Sequence, residues 1–250
     1  MKNPKNKLSK DQIKALDHLF NEVSERQLKD FGNIAASNKS DGSLITSCDL
    51  WSDKTIVDGL SRIAPGEGVL SEEGEKSIPN SEAYWIVDPL DGTTNFAAGI
   101  PFWSISVARF VDGMPESCFL IIPTLNKKFL AIREEGVILN NKKVNSGNNL
   151  KKSDCVSLCS RSIKILQINP KEIFPGKIRL LGVSSLNLTS VAMGQTYGAI
   201  ESTPKIWDIA AAWLILDELN CEIDWLKKNP KDLKAGEDLS EVNFPLIACR

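Results

Sequence analysis

Hydrophobic positions first recur at helical spacing. From Asp11 to Phe31, the residues Ile13, Leu16, Phe20, Val23 and Gln27 fall along one stripe at about 100° per residue, which predicts an amphipathic helix. Ser9 with Gln12 offers a capping box at its start, and Gly32 a stop. A second helix is predicted over Asp49–Ile63, with Ile56, Leu60 and Ile63 on one face and Pro65-Gly66 beyond its end. Tyr84-Trp85-Ile86-Val87 is apolar without alternation, the pattern of a buried strand. Between Ser104 and Val144, apolar runs are broken by Asp112-Gly113, Pro123-Thr124, Glu135-Gly136 and Asn140-Asn141, so consecutive hairpins are expected.

After Lys151 the pattern changes. Strands are predicted at Cys155–Cys159 and Ile178–Leu181 with a weak helix between them, helices at Ser185–Met193 and Asp208–Leu219, and strands at Cys221–Trp225 and Phe244–Cys249. Strands in runs, then strands alternating with helices, predict a layered mixed α/β or α+β architecture. No repeat or linker divides the chain. Residues 1–250 therefore read as one unit, with an N-terminal α+β half over about 1–145 and a C-terminal α/β half over 146–250.

Composition narrows the chemistry. Thirty Lys and Arg against 32 Asp and Glu give a net charge of -2, without the basic excess of a nucleic-acid binder. No apolar run approaches the ~20 residues of a membrane span. The one histidine, His18, lies nearly opposite the apolar stripe of the first helix, so a solvent-facing role is expected for it. That excludes Ser-His-Asp and Cys-His mechanisms and His-rich metal sites. The six cysteines form no CxxC pair, and the four lysines of Met1–Lys10 precede no apolar signal core. A reducing, cytoplasmic compartment is the expectation. Catalysis, if present, falls to carboxylates, hydroxyls, lysines or bound ions.

The densest such signal is Asp88-Pro89-Leu90-Asp91-Gly92-Thr93-Thr94-Asn95, where a buried strand is expected to end in two aspartates three residues apart. Pro89 holds Asp88 extended and Gly92 releases the chain into a tight turn. Both carboxylates and the Leu90 carbonyl can then face one side, hard oxygen ligands suited to Mg²⁺. Gly92-Thr93-Thr94 offers backbone N–H groups and hydroxyls to a phosphate. Asp-Pro and Asp-Gly are also ordinary turn formers. Upstream, Leu70-Ser71-Glu72-Glu73-Gly74 puts two acids after a short apolar run, readable as surface charge. Downstream, Asp208 opens a helix that is apolar nearly all round, as its N-cap or as an acid facing a central ion.

Together these segments resemble a known family. Trp85-Ile86-Val87-Asp88-Pro89-Leu90-Asp91-Gly92-Thr93-Thr94-Asn95-Phe96 resembles the first signature of the Mg²⁺-dependent, lithium-sensitive inositol monophosphatase family. Trp207-Asp208-Ile209-Ala210-Ala211 is similar to its second signature, Ser71-Glu72-Glu73 to its glutamate pair, and Lys39 to Asp49 to its upstream Lys…Thr-x-x-Asp segment. The resemblance implies a layered αβαβα sandwich, commonly a homodimer, with two or three Mg²⁺ ions and inhibition by Li⁺. It implies Glu72, Asp88 and the Leu90 carbonyl at one metal site, and Asp88, Asp91 and Asp208 at a second. Gly92 and Thr93 match the phosphate-binding turn. Thr93 with Asp49 matches the pair that orients the attacking water; Glu72 assists it, and Glu73 lies next to that network. The expected reaction is in-line attack of a metal-activated water on a small phosphate monoester, with no covalent phosphoenzyme.

Substrate contacts carried over from the family are Asp91, Gly182, Val183, Ser184 and Glu201. Gly182-Val183-Ser184-Ser185 stands where the family usually has Gly-Ser/Thr-Ala-Ala, so the small hydroxyl after the glycine is missing. Glu201, seven residues before Asp208, matches a glutamate that touches ring hydroxyls, and it also reads as an acid ending a strand. An inositol or similar polyol monophosphate is the first expectation. Histidinol phosphate, fructose 1,6-bisphosphate and 3′-phosphoadenosine 5′-phosphate are alternatives on the same metal core, and an idle, metal-binding dimeric scaffold is a further one. Glu218-Leu219-Asn220 replaces the family's Glu-Ala-Gly, a change expected to alter a helix ending rather than chemistry.

Overall fold

The computed structural model describes residues 7–39, 42–145, 154–164, 174 and 176–250. Helix α1 (Lys10–Asp30) starts at the expected capping box: Gln12 N donates to Ser9 Oγ, and Ser9 N to Gln12 Oε1. It ends as Phe31 leaves helical space and Gly32 adopts φ +68°. The antiparallel pair β1 (Ala36–Asn38) and β2 (Leu44–Thr46) leads into α2 (Ser47–Ile63). This helix begins earlier than periodicity indicates because Thr46 caps it, accepting from Cys48 N and Asp49 N, while Asp49 Oδ2 accepts from Thr46 N.

The large sheet follows: β3 (Gly68–Ser71), β4 (Ala83–Asp91), then, after the short α3 (Thr93–Ala97), β5 (Ser104–Val111), β6 (Met114–Ile122), β7 (Lys127–Ile132), β8 (Gly136–Leu139) and β9 (Lys142–Lys143). They lie side by side in chain order, β3 parallel to β4 and all other pairs antiparallel. The expected turns hold the hairpins, with left-handed residues at Asp112, Gly113, Asn126, Gly136, Asn140 and Asn141. Strand β4 ends in the two aspartates as expected, although without the turn at Asp88-Pro89. It continues through Asp91 because a bulge between Asp88 and Asp91 accommodates Pro89, which has no N–H for the ladder.

The second half contributes β10 (Cys155–Leu158), β11 (Lys177–Arg179), α4 (Ser184–Ala192), β12 (Gly198–Glu201), α5 (Ile206–Glu218), β13 (Glu222–Trp225) and β14 (Leu246–Cys249). Its five-stranded sheet has the order β11-β10-β12-β14-β13, the first three parallel and the rest antiparallel. The weak helix expected between β10 and β11 falls mostly on residues outside those described.

Packing explains the layers. Trp85, Val87, Ile105 and Val107 meet Leu16, Phe20, Val23, Ile56 and Leu60 of α1 and α2. Ile86, Ala108, Phe110 and Leu120 face the other way, against α4 and α5. Both faces of β4 are therefore buried, which is why its sequence does not alternate. Helix α5 is buried all round, from Ile206 to Leu216 apart from Asp208, because it packs against the large sheet, α4 and β13, while α4 meets β10, β12 and β14 of the second sheet. One core thus unites both halves. Asn220 takes φ +57° after α5, supplying the left-handed residue a glycine would. All six cysteines are free and His18 is exposed. Among the described residues no helix is long and apolar enough to cross a membrane.

Candidate active site

Where β4 ends, α3, α4 and α5 all begin, and a cleft of about 340 Å³ opens between them. In a regular strand, residues three apart point to opposite faces. The extra residue of the bulge cancels that alternation and lets Asp88 and Asp91 share the cleft side. Asp88 Oδ1 accepts from Leu90 N at 3.0 Å. Asp91 Oδ2 accepts from Ser185 N at 2.8 Å and Ser185 Oγ at 2.5 Å. This bond caps α4 from another strand, because its N-cap, Val183, has no side-chain acceptor.

Gly92 turns the chain into α3 at φ +105°, and a Cβ there would meet Val183 Cγ2 at 2.8 Å and the Phe102 carbonyl at 3.1 Å, so only glycine fits. Thr93 Oγ1 donates to Asp49 Oδ1 at 2.8 Å and lies 3.2 Å from the Leu90 carbonyl. Asp49 is buried behind Thr93 and does not line the cleft. Glu72 follows β3 on the neighbouring strand; Lys39 Nζ donates to its Oε1 at 2.8 Å and also to Glu73. Asp208 is not the N-cap of α5: Lys205 holds that position, and Asp208, three residues on, accepts from Lys205 N at 2.8 Å while lining the cleft.

Electrostatics mark the same residues. Burial first, and then the charges of Glu72, Asp91 and Asp208, hold the Asp88 carboxyl well above the usual range. Asp208 is raised likewise, by burial and by Asp91 and Glu72. Burial pushes Asp91 up to about 6 against the pull of its Ser185 bonds. Burial and Glu72 push Glu73 up to about 7. Burial works against the Lys39 ammonium, but Glu72 and Glu73 outweigh it and raise its pKa.

At the far end of the cleft, Gly182 adopts φ +74°, Val183 is buried over Gly92, and Ser184 Oγ donates to Glu201 Oε2 at 2.9 Å. Asn187 Nδ2 donates to Glu201 Oε1 at 2.6 Å. Burial pushes Glu201 up to about 7 despite these two donors. The predicted residues Glu72, Asp88, Leu90, Asp91, Gly92, Thr93, Gly182, Val183, Ser184, Glu201 and Asp208 all line this one cleft. Sequence reasoning assigned no role to Lys39, Ser185, Asn187 or Asn95. Asn187 was within reach, since three residues after Ser184 is the same helix face. Asn95 donates to the Phe102 and Leu181 carbonyls, tying the turn after β4 to the loop before α4, which periodicity cannot reveal.

The donor set is carboxylates and one carbonyl, which fits a hard divalent cation. Among the described residues no three acids stand closed around a point. Asp88 bonds the described chain through Oδ1 and Asp208 through Oδ2, Asp91 is held by Ser185 and Ser184, and Lys39 rests on Glu72 as a counter-charge. Mutually repelling buried carboxyls are relieved by a positive charge placed among them. A larger hollow of about 510 Å³ lies between α1 and β6–β8, but it is lined mainly by Phe20, Phe119, Ile121, Phe129 and Ile138 and lacks any acid cluster.

A layered α/β sandwich with an oxygen-only acidic cleft at the end of a central strand defines the class. The inositol monophosphatase family profile matches residues 6–242, and the chain belongs to that family. It is 31% identical to the inositol-1-monophosphatase of Rhizobium meliloti over 220 residues, 83% of each chain. It is also 31% identical to the Nus factor SuhB of Pasteurella multocida over 195 residues, 74% of this chain and 73% of that one. A solved IMPase/NADP phosphatase complexed with Mg²⁺ and phosphate matches with a TM-score of 0.78, covering 94% of this chain and 89% of that one at 23% identity, a likeness of fold.

Proposed function

We propose that this chain is a Mg²⁺-dependent phosphatase of a small phosphate monoester, with inositol monophosphate or a similar polyol phosphate as first choice. The observation that carries the reading is the 2.8 Å bond from Thr93 to the buried Asp49, beside the bulge that gathers Asp88 and Asp91. The Mg²⁺-and-phosphate complex of a structural relative and the inositol-1-monophosphatase name of a sequence relative support it. Glu72, Asp88 and the Leu90 carbonyl would hold one ion, and Asp88, Asp91 and Asp208 another. Bound there, the ions would polarise the phosphoryl oxygens and acidify water. Gly92 and Thr93 present backbone N–H groups to the phosphate. The Thr93 hydroxyl, donating to Asp49, keeps its lone pairs for the attacking water and passes a proton towards that carboxylate, with Glu72 assisting. The P–O bond to the alcohol breaks in line, releasing inorganic phosphate. Gly182, Val183, Ser184, Glu201 and Asp91 face the leaving alcohol. One unit spanning 1–250, acting as a homodimer in the cytoplasm and inhibited by Li⁺, completes the proposal.

The test is phosphate release from a panel of monoesters, including inositol 1-phosphate, histidinol phosphate, fructose 1,6-bisphosphate and 3′-phosphoadenosine 5′-phosphate, with and without Mg²⁺ and Li⁺. Turnover that needs Mg²⁺ and falls with Li⁺ is expected. No release from any ester by metal-bound protein overturns the enzyme in favour of a scaffold. The likeness to Nus factor SuhB supports a second role as a Nus factor; if it holds, it survives an Asp88→Asn substitution that ends hydrolysis.

A further inference from the structure

Gln27 is a polar side chain in the apolar stripe of α1, and it is fully buried. Its amide is engaged on both ends. Nε2 donates to the Pro89 carbonyl at 2.8 Å and lies 3.2 Å from Ser52 Oγ, while Oε1 accepts from Trp103 Nε1 at 3.0 Å. Pro89 sits in the bulge, between the paired positions Asp88–Ser106 and Asp91–Ser104, outside the register of the sheet. A buried carbonyl there needs a donor from elsewhere. Gln27 supplies it from the face opposite the cleft.

The orientation of one peptide constrains the next. Pro89 and Leu90 are consecutive, so a Pro89 carbonyl held from the helix side limits where the Leu90 carbonyl, which lines the cleft, can turn. We propose that Gln27, by holding the Pro89 carbonyl on the helix side, positions the bulge so that the Leu90 carbonyl and the Asp88 and Asp91 carboxylates face the cleft in metal-binding spacing. This rests on the reading of the cleft as a metal site. Gln27 is a positioning residue, touching neither ion nor substrate. Trp103 and Ser52 fix the amide's direction, and Trp103 in turn packs against Phe31 and Phe96 at ring-centroid distances of 4.4 and 5.0 Å. The first helix, remote from the cleft in sequence, thereby sets the geometry of its centre.

A merely structural bond and a positioning bond separate by their effect on metal affinity at matched loss of stability. Gln27→Met keeps length and volume but removes the donor to Pro89. Trp103→Phe removes only the bond to Gln27 Oε1 and leaves Nε2 on Pro89, while costing core packing. Mg²⁺ affinity is measured by titration calorimetry, with thermal melts alongside. The expected result is a Kd for Mg²⁺ raised about tenfold in Gln27→Met but less than twofold in Trp103→Phe, even where the latter melts lower. Should Gln27→Met fail to fold, Gln27→Leu, which likewise has no donor for the Pro89 carbonyl, is expected to show the same rise. An unchanged Kd in the folded Gln27 variant, or an equal rise in both, overturns the proposal. Wild-type protein that binds no Mg²⁺ overturns it together with the metal-site reading. Normal Mg²⁺ binding without phosphate release overturns the phosphatase reading alone, and the Kd comparison still decides the role of Gln27.

Discussion

The carboxylates at the two ends of the cleft are buried alike and connected differently. Asp88 and Asp91 are 1% and 8% exposed, and Glu201 1%. At the β4 end, Asp88 accepts from Leu90 N, Asp91 from Ser185 and Ser184, and Asp208 from Lys205 N, yet each stays raised by its neighbours' charges as well as by burial. At the far end, Glu201 has both oxygens engaged, by Asn187 and Ser184. Hydrogen bonds can orient a buried acid, but only a counter-charge relieves a cluster of them. One end of the cleft therefore gathers acids that a cation would relieve, and at the other both oxygens of the acid are already engaged.

The largest effect should come from removing a charge at the β4 end. Asp88→Asn is expected to lower Mg²⁺-dependent turnover on the order of 10³-fold or more, with circular dichroism unchanged. The same substitution relieves repulsion, so the metal-free variant should melt no lower than the metal-free wild type. A variant with near-normal turnover would falsify the assignment of the cleft. Next in size, Thr93→Val removes the hydroxyl between the bulge and Asp49, with an expected loss of about 10²-fold in kcat and Mg²⁺ affinity kept within a few-fold. Thr93→Ser should recover most of that loss; equal damage from both substitutions would show that the methyl packing, not the hydroxyl, matters.

The ends of the cleft also differ in how far the sequence discloses them. Most of the β4 end lies in one continuous stretch, and its Asp-Pro-Leu-Asp-Gly-Thr-Thr run carries the proposed ligands, the turn and the threonine bonded to Asp49 in order. The helices, the hairpins and the buried α5 were likewise legible, because periodicity and turn residues are local. The bulge was not: the sequence leads to two aspartates on one side through a tight turn, and only the register against β5 shows that a bulge within the strand brings them there. Lys39 on Glu72, Ser185 on Asp91 and Gln27 on Pro89 join residues 33, 94 and 62 positions apart, and a long-range pairing leaves no trace in spacing. The role of Asp208 was half-legible. Its place in the first turn of α5 could be read, whereas its exact cap position depended on where that helix starts, the least determinate feature of a helical pattern.

Metal binding should be visible as stability, and pH should tune it. Raised carboxyls favour the folded state below their unfolded pKa near 4, and that contribution is lost as pH rises through their folded values, about 6 for Asp91. Bound Mg²⁺ removes the penalty by favouring the charged forms. Saturating Mg²⁺ is therefore expected to raise Tm by roughly 5–10 °C at pH 8 and by less at pH 5. A gain independent of pH, or larger at pH 5, would place the ion elsewhere than among these acids.

The smallest predicted effect probes the far end. Glu201 is raised from 4.5 to about 7 by burial, so its share of stability is present below pH 4.5 and lost as pH rises to about 7. Glu201→Gln keeps the shape, can accept from Asn187 and donate to Ser184, and escapes that loss. In metal-free protein its Tm should match wild type at pH 4 and exceed it by a few degrees at pH 8, on the order of 2 kcal/mol. The same variant separates an internal role from a substrate contact. If Glu201 receives ring hydroxyls, kcat/KM for inositol 1-phosphate should fall several-fold while that for 4-nitrophenyl phosphate, which has no such hydroxyls, stays constant. Equal kcat/KM changes for both esters would confine Glu201 to holding Ser184 and Asn187, and the polyol preference would then have to come from Gly182, Val183 and Ser184 alone.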